Sequence, residues 1–315
     1  MAQFTIYRSA DANAPVLNGL AGSLITVLDA ILVNGYGTRP SASWTKSFSS
    51  GSYYAAYKQG SGSNGCYMWV QDTGSVASGK DAIFRGFENL SSISGTTLYG
   101  FPNVLQSALT STGLAIRKSS VVTISSIPWV AAADSRTLYF FAQTGDTAAT
   151  YVSFMFGDIY SYIPNDPYRC MIIGKSVENA AGTTNDAIYN ISYLLANQAG
   201  NYIQRSFTGT GTSTPCGKHV DGWKNGSNST TMAASTFAYP NPTDNKIYLS
   251  PVWVTENSVL RGHLRGFYNL GHVWTIMNDG DTFSGSIGTE MAGKTFLAVK
   301  SPGYIIETSN TVDTN

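Results

Sequence analysis

The sequence has 315 residues, of which 43% are hydrophobic and 12% aromatic, enough to form a sizeable packed core. Charged residues make up only 12%, and nineteen basic residues balance nineteen acidic ones. This balance provides neither a basic stripe for nucleic acid nor an acidic tail, so we expect no nucleic-acid partner.

The first segment, MAQFTIYRSADANAPV, predicts neither export nor membrane insertion. It places Arg8 and Asp11 where a signal peptide needs apolar residues, so we expect no export signal. The most apolar run, 20–33, is interrupted by Gly22 and Asp29. It is also shorter than the ~20 residues of a membrane span, so we expect no membrane partner.

The same run predicts the clearest helix of the chain, over residues 20–33. Apolar residues recur there at helical spacing, at Leu24, Val27, Leu28 and Ile31. Ser23 is the expected N-cap, and the Asn34–Gly35 pair is expected to end the helix. The stripe fits a partner-binding helix or a core helix, and such stripes more often face a core.

The rest of the chain predicts a second short helix and many strands. FPNVLQSALTSTG predicts the helix, opened by Pro102 and closed near Gly113. Short segments rich in β-branched and aromatic residues predict strands: GCYMWVQD, SSVVTIS, RTLYFFAQ, TYVSFMFG, CMIIGK, NKIYLSPVWV, HVWTIM, TFLAVK and GYIIET. Their irregular spacing indicates a mainly β fold, either a sandwich or a barrel-like architecture.

One short pattern occurs twice, as FRGFENL at 84–90 and as LRGFYNL at 264–270. The repeat indicates either a duplicated β unit or a chance match. A duplication would divide the chain into β-rich halves, 1–143 and 144–315, although a single domain is the alternative. If the copies face equivalent partners, the interface candidates are Arg85, Phe87, Arg265 and Phe267. The loose, Gly- and Thr-rich region 179–230 is expected to form long surface loops or arms that order against a neighbour.

Two glycine-rich stretches match nucleotide-binding patterns by letter only. GTEMAGKT at 288–295 fits the phosphate loop, but the following FLAVK predicts a strand where that loop requires a helix. GSGSNG at 60–65 fits the dinucleotide pattern, but CYMWVQD again predicts a strand after it. We interpret both stretches as turns and expect no cofactor.

The sequence suggests no metal site. Cys66, Cys170 and Cys216 are widely spaced and contain no C-x-x-C pair, so we expect reduced, mostly buried thiols. Cys216 and His219 form the sole compact pair, and a structural zinc normally needs two such pairs.

No residue is nominated as catalytic. The chain contains no G-x-S-x-G motif, although triads need not be local in sequence. Glycoside hydrolysis needs two carboxylates at a set separation, and the sequence gives no reason to choose among the candidates. We interpret these carboxylates instead as turn formers or arginine partners: Asp134, Asp158, Asp166 and Glu256. Trp129, Trp253 and Trp274 fit a sugar-stacking platform, but their apolar strand contexts favour a core. We therefore expect a protein that is not an enzyme.

Three longer stretches carry a family resemblance: APVLNGLAGSLITVLDAILVNGYG, DSRTLYFF and KIYLSPVWVTENSVLRGHLRGFYNL. Together with the late TFLAVK segment, they resemble a group of virion structural proteins of tailed bacteriophages and prophages. The resemblance covers most of the chain and implies a non-enzymatic subunit of the neck, collar, tail or baseplate. It brings no catalytic or cofactor residues with it.

The resemblance implies a virion location after assembly in the host cytoplasm. The implied partners are further copies of the chain, as a ring or decoration homo-oligomer, and other virion proteins. The weakly charged composition fits such self-association. The alternatives are a receptor- or glycan-binding module of the tail or baseplate, and an enzyme that degrades the cell envelope.

Overall fold

The computed structural model describes residues 4–76, 81–100, 113–119, 121–143, 151–176, 201–211, 214–219, 243, 246–256, 259–270, 278, 280–285, 291–299 and 304–308. One helix, α1 (Ser23–Leu28), continues as a wider π-helical segment, Asp29–Asn34. The strands in chain order are β1 Thr5–Arg8, β2 Thr45–Ser50, β3 Tyr54–Lys58, β4 Tyr67–Val76, β5 Asp81–Phe87, β6 Ser92–Ser94, β7 Thr97–Tyr99, β8 Leu114–Arg117, β9 Trp129–Ala133, β10 Thr137–Gln143, β11 Tyr151–Asp158, β12 Tyr160–Ser161, β13 Cys170–Ile173, β14 Lys175–Ser176, β15 Asn201–Ile203, β16 Thr214–Pro215, β17 Gly217–His219, β18 Leu249–Glu256, β19 Val259–Leu270, β20 Thr282–Ser284, β21 Thr295–Val299 and β22 Tyr304–Thr308.

These strands form three large antiparallel sheets arranged as layers. The central sheet has the order β1-β9-β10-β11-β13-β15-β16. The outer sheet that we call the N-sheet has the order β14-β8-β5-β4-β3-β2. The other outer sheet, the C-sheet, has the order β17-β18-β19-β22-β21-β20, with β12 paired to β19. A small β6-β7 hairpin completes the described strands.

The central sheet is buried on both faces. In β10, Leu138 and Phe140 belong to the core shared with the N-sheet, which includes Phe84. The alternate residues Tyr139 and Phe141 belong to the core shared with the C-sheet. Because successive side chains of a strand point to opposite faces, a strand between two cores must be apolar throughout. This explains why RTLYFFAQ shows no polar alternation.

The helix lies within the N-sheet core. Its buried residues are in the same cluster as N-sheet and central-sheet side chains: Leu24, Ile25, Val27, Leu28, Ile31 and Leu32. The predictions of a helix here, and of a core position for its apolar stripe, are confirmed. The helix ends at Gly35, whose φ of 74° is readily available to glycine and unfavourable for most other residues.

The predicted N-cap, Ser23, is wrong. Gly22 holds the cap position, and the Ser23 hydroxyl donates to the carbonyl oxygens of Asn18 and Leu20. The first-turn Leu24 N–H instead donates to Asp72 Oδ2 at 2.8 Å. Asp72 lies on β4, so the cap is supplied by a residue that is remote in sequence.

Asp72 forms a buried ion pair with Lys118. Their side chains are 0% and 1% exposed, and Lys118 Nζ also donates to the Leu20 carbonyl oxygen at 2.6 Å. Burial raises the pKa of Asp72, while Lys118 and the helix N–H groups oppose that rise. The pair therefore joins the helix start to two strands of the N-sheet.

The mainly β prediction is confirmed, and the described strands follow the sandwich alternative, with open sheets in layers. SSVVTIS is a wrong strand prediction, because residues 121–125 form bends and extended coil. The second predicted helix lies outside the described residues except for Gly113, as do HVWTIM and most of 179–230. The predicted halves 1–143 and 144–315 share the central sheet, since β10 and β11 pair along their length.

Replacing Asp72 with Ala should lower the free energy of unfolding by about 3–5 kcal/mol, because it leaves the Lys118 charge buried and unpaired. Chemical denaturation would measure the loss. The matched control is Lys46→Met, which removes the more exposed Lys46–Asp29 pair and should change stability by less than about 1 kcal/mol. Equal effects of the two substitutions would contradict the prediction.

Candidate functional site

Charged residues gather at one end of the central sheet. Asp134 follows β9, Arg136 precedes β10, Asp158 ends β11 and Arg169 precedes β13. Since these strands are antiparallel neighbours, all four positions meet at the same sheet end. Here the apolar strands stop, so charged side chains can approach each other without entering either core.

Asp158 is the buried carboxylate of this group, with no exposed side-chain surface. Its Oδ2 accepts from Arg169 Nε at 2.9 Å, and Arg136 Nε lies 3.8 Å from the same oxygen. Gln59 donates to Oδ1 at 3.2 Å. Burial raises the pKa of Asp158, and Arg169 is the largest opposing influence. One carboxylate is thus shared by two guanidinium groups.

Two further arginines come from β19 in the C-sheet. Arg265 donates to Asp134 through Nη1 at 3.1 Å and Nη2 at 2.6 Å. Arg261 donates to Asp166 Oδ2 at 2.8 Å and to Glu256 Oε2 at 3.1 Å. Paired donors of this kind hold a carboxylate in one orientation.

Each of the four carboxylates considered for hydrolysis is therefore bound to arginine, which confirms the arginine-partner interpretation. Glu256 also accepts from the Phe207 N–H at 3.0 Å, and burial raises its pKa. Four arginines face these four carboxylates: Arg136, Arg169, Arg261 and Arg265. The arrangement can hold segments in place and present a guanidinium group to a ligand.

Residues 159–166 form a short segment fixed to this charged network. Asp166 is 3% exposed and accepts from Ser161 Oγ at 2.7 Å and from the Tyr168 N–H at 2.9 Å, besides Arg261. Asn165 adopts a φ of 53°, a conformation that Asn tolerates in tight turns. The backbone of this segment is held from several sides.

Gly262 lets the segment approach the C-sheet. Tyr160 and Ser161 form β12, whose register pairs Tyr160 with His263 and Ser161 with Gly262. A Cβ at Gly262 would stand 2.0 Å from the Tyr160 carbonyl oxygen. Only glycine allows this approach, so the Arg-Gly-His sequence of β19 determines where Tyr160 lies.

A pocket of about 450 Å³ opens beside this segment, lined by 159–166 together with Arg136 and Arg169. We call it the Tyr160 pocket. Two aromatic side chains of this lining are exposed, Tyr160 by 56% and Tyr162 by 46%. His263 stacks on Tyr160 with ring centroids 4.8 Å apart, and Tyr162 Oη lies 3.2 Å from His263 Nδ1.

The glycine-rich stretch 60–65 helps to close this end of the molecule. It connects β3 and β4 as predicted, and Gly62 and Gly65 have φ values of 77° and 71°. Gly62 accepts from Arg169 Nη2 at 3.0 Å, and Asn64 donates to the Pro167 carbonyl oxygen at 2.8 Å. The turn ties the N-sheet to the central sheet at the charged end.

The phosphate-loop match ends in a β-hairpin, as predicted. Gly293 has a φ of 75°, and Thr295 begins β21, which pairs with β20 and β22. Lys294 Nζ lies 3.2 Å from Glu307 Oε2. The position where a phosphate loop requires a helix is therefore a strand. Residues 288–290 of the motif lie outside the described residues.

The four interface candidates fall into different surroundings. Arg265 is 6% exposed and bound to Asp134, while Phe267 is fully buried between the central sheet and the C-sheet. Phe87 is 6% exposed and packs in a separate cluster on the outer side of the N-sheet. Arg85 is partly exposed and lies over the Phe87 ring at 5.5 Å. The two copies of the repeat thus have different neighbours, and partner contacts at these positions stay a prediction.

The cysteine prediction is confirmed, since Cys66, Cys170 and Cys216 are buried thiols that take part in no disulfide. Burial raises the pKa of the Cys170 thiol, and the neighbouring Cys66 adds to the rise. Within the described ranges, no group of three or more His, Cys, Asp or Glu side chains is placed to hold a metal ion. For His219 the structure describes the backbone in β17 but not the side chain.

Sequence reasoning placed Trp129 correctly in the core, whereas Trp253 is only partly buried on β18. Trp274 lies outside the described residues. The aromatic residues at the pocket are instead Tyr160 and Tyr162, in YSYIPND, which sequence reasoning missed. Their signal was weak: two tyrosines alternate with a serine before a Pro-Asn-Asp turn.

Comparison with protein-family models and with curated proteins finds no match for this chain. Among the residues that the structure describes, no helix has the length and apolar character needed to span a bilayer.

Gly262→Ala should displace β12 from β19 and lower the free energy of unfolding by about 1–3 kcal/mol, because the new Cβ overlaps the Tyr160 carbonyl group. Chemical denaturation of the purified variant would measure this loss. The control is Gly51→Ala, at a position with no atoms within 4 Å of the added Cβ but with a φ of 61°, so that it carries the backbone strain of a positive φ without a steric overlap. A Gly262 variant no less stable than the Gly51 variant would show that the close approach is dispensable.

His263 should make stability depend on pH. Burial and the nearby Lys294 charge lower its pKa below the ordinary value of about 6.5. The unfolded chain therefore binds the proton more readily, so this contribution to stability is present at neutral pH and decreases as pH falls below that value.

The measurement is the free energy of unfolding from pH 5 to 7.5 for the native protein and for His263→Phe, which preserves a ring beside Tyr160. The native protein should gain more stability with rising pH than the variant. The raised pKa values of Asp158 and Glu256 act in the opposite direction, but they are common to both proteins. Parallel pH curves would contradict the prediction.

Proposed function

We propose that this chain is a non-enzymatic structural subunit of a tailed-phage virion, as a neck, collar or tail ring or decoration component. It associates with further copies of itself and with other virion proteins after assembly in the host cytoplasm. The support comes from the sequence resemblance, from the arginine-bound state of the carboxylates, and from one exposed apolar segment.

That apolar segment, residues 121–124, is the observation that carries the proposal. Val121, Val122 and Ile124 are 55%, 64% and 78% exposed, although their sequence predicts a strand. Adjacent apolar side chains that remain in water are characteristic of contact surfaces. A second copy of the chain is the occupant that the proposed self-association supplies.

The segment is held in one conformation before any partner arrives. The Gly19 N–H donates to the Thr123 carbonyl oxygen at 3.0 Å, and a Cβ at Gly19 would stand 2.3 Å from the Val121 carbonyl oxygen. The Val121 N–H donates to Ser119 Oγ at 3.2 Å. A preformed contact surface loses less conformational entropy on binding, which favours assembly from many equal subunits.

The non-enzymatic part of the proposal rests on the charged network. Asp134, Asp158, Asp166 and Glu256 are each oriented by arginine in the interior or at its edge. General acid–base catalysis needs a carboxyl group that can reach a proton of the substrate. We interpret these four carboxylates as groups that hold strands and loop segments together.

A receptor- or glycan-binding module is the second candidate function. Tyr160 and Tyr162 favour it, because both rings are about half exposed at the mouth of a polar pocket. The two candidate functions are compatible with each other, because a structural subunit of the virion can also carry a ligand-binding surface.

Purified phage particles that encode this chain should contain it at a fixed, high copy number. Quantitative mass spectrometry of the particles would measure that number, and projection images of the isolated protein should show a symmetric oligomer. Absence of the protein from particles that retain their tails would refute the virion proposal.

Val122→Asp together with Ile124→Asp should convert the oligomer into monomer, because charge in an apolar contact is costly to desolvate. Light scattering of the purified protein would measure the mass. Leu260→Asp is the control, since Leu260 is 49% exposed elsewhere, on β19. Unchanged mass in the double variant, with the fold intact by circular dichroism, would remove this segment from the interface.

A further inference from the structure

We propose that the Tyr160 pocket binds an acidic saccharide, with the sugar carboxylate on Arg136 and an apolar sugar face on Tyr160 or Tyr162. This inference rests on the second candidate function and is independent of virion assembly.

Arg136 supplies the positive charge for binding, because its guanidinium group is not fully paired with acceptors of the chain itself. Its Nε is buried and has no hydrogen-bond partner among the described residues. The nearest carboxylate oxygen, Asp158 Oδ2, is 3.8 Å away and is already bound by Arg169. The Arg136 side chain is still 32% exposed and lines the pocket. A guanidinium group in this state is suited to an added carboxylate.

Charged residues of both signs lie close to Arg136. After burial, Arg265 and Arg169 lower the pKa of Arg136, whereas Asp158 and Asp134 raise it. Both of these carboxylates are already bound, Asp158 by Arg169 and Asp134 by Arg265. The acidic residue in the pocket wall, Asp166, is occupied by Arg261, Ser161 and Tyr168. The pocket is therefore lined by a partly exposed guanidinium side chain whose Nε has no hydrogen-bond partner among the described residues, while the pocket's carboxylate is already bound.

The aromatic side chains supply a surface for a sugar ring. Tyr160 and Tyr162 both line the pocket, and their ring centroids are 6.1 Å apart in an edge-to-face arrangement. His263 supports both through stacking and a hydrogen bond. Rings that combine an apolar face with a polar hydroxyl suit ligands that are apolar on one side and hydroxylated on the other. The volume of about 450 Å³ suits a ligand of one or two sugar residues.

The segment is organised in advance of binding. Asp166 holds its C-terminal part, and the Tyr162 N–H donates to the Arg261 carbonyl oxygen at 2.9 Å. Gly262 allows the backbone of Tyr160 to pack directly on β19. A ligand therefore meets a surface already in place, which lowers the entropy lost on binding.

The test is isothermal titration calorimetry on the isolated full chain. The probes are trigalacturonate, a hyaluronan tetrasaccharide and a sialic acid dimer, each paired with its carboxyl-reduced, uncharged counterpart. Inorganic phosphate is a further probe. We expect at least one acidic saccharide to bind at millimolar or lower concentration, and its uncharged counterpart to bind roughly tenfold to a hundredfold more weakly.

The variants separate the two parts of the site. Arg136→Gln should weaken binding of the acidic saccharide by the same factor as carboxyl reduction, and should not weaken binding of the uncharged form further. Tyr160→Ser should weaken both forms. Lys46→Gln, which removes a cation on β2, should weaken neither. Circular dichroism and thermal unfolding verify that each variant folds, which is expected because Asp158 retains Arg169 and Gln59.

Any one of the following results would overturn the inference. The first is no binding of any acidic probe at millimolar concentration. The second is equal binding of the acidic and uncharged forms, or no effect of Arg136→Gln. The third is inorganic phosphate binding as tightly as the saccharides, which would leave a simple anion site. Because the assay uses no phage particle, each result is separate from the outcome of the virion experiment.

Discussion

A β-sheet with no free face is the constraint on which the rest of this structure depends. The central sheet is covered by the N-sheet on one side and the C-sheet on the other, so Leu138, Tyr139, Phe140 and Phe141 are all buried. Such strands cannot carry charges along their length, because burying an unpaired charge is prohibitive. Charges that belong to these strands are confined to their ends, where turns and neighbouring sheets supply partners.

This confinement explains why arginine–carboxylate pairs concentrate at one sheet end. Arginine suits the position because its planar guanidinium group can bind two acceptors at once and remains charged when partly buried. Arg265 and Arg261 reach across from the C-sheet, and the turn 60–65 reaches across from the N-sheet. The three layers are thereby tied together at this end by polar contacts, while apolar contacts hold their faces.

The charged network also produces the pocket. Asp158 is shared by Arg136 and Arg169, whereas Arg261 is shared by Asp166 and Glu256. Because the sharing is uneven, Arg136 Nε is left without a hydrogen-bond partner among the described residues, in a side chain that lines the same pocket as Tyr160. Arg261 in turn anchors the segment that carries the tyrosines. A network that holds the layers together thus also presents a recognition surface. The apolar segment 121–124 is a separate surface of different chemistry, suited to protein contact and not to a polar ligand.

The sequence by itself determined what depends on local pattern: the mainly β class, the helix in the first run of apolar residues, and the turns at 60–65 and around Gly293. Each follows from side-chain periodicity or from glycine conformation, which act over a few residues. Tertiary structure decided the three layers, the cap that Asp72 gives a helix 48 residues away, and the exposure of Val122 and Ile124. It also decided that Arg136 and Tyr160 share a pocket, since strand pairing brings together residues whose separation in sequence carries no signal of contact.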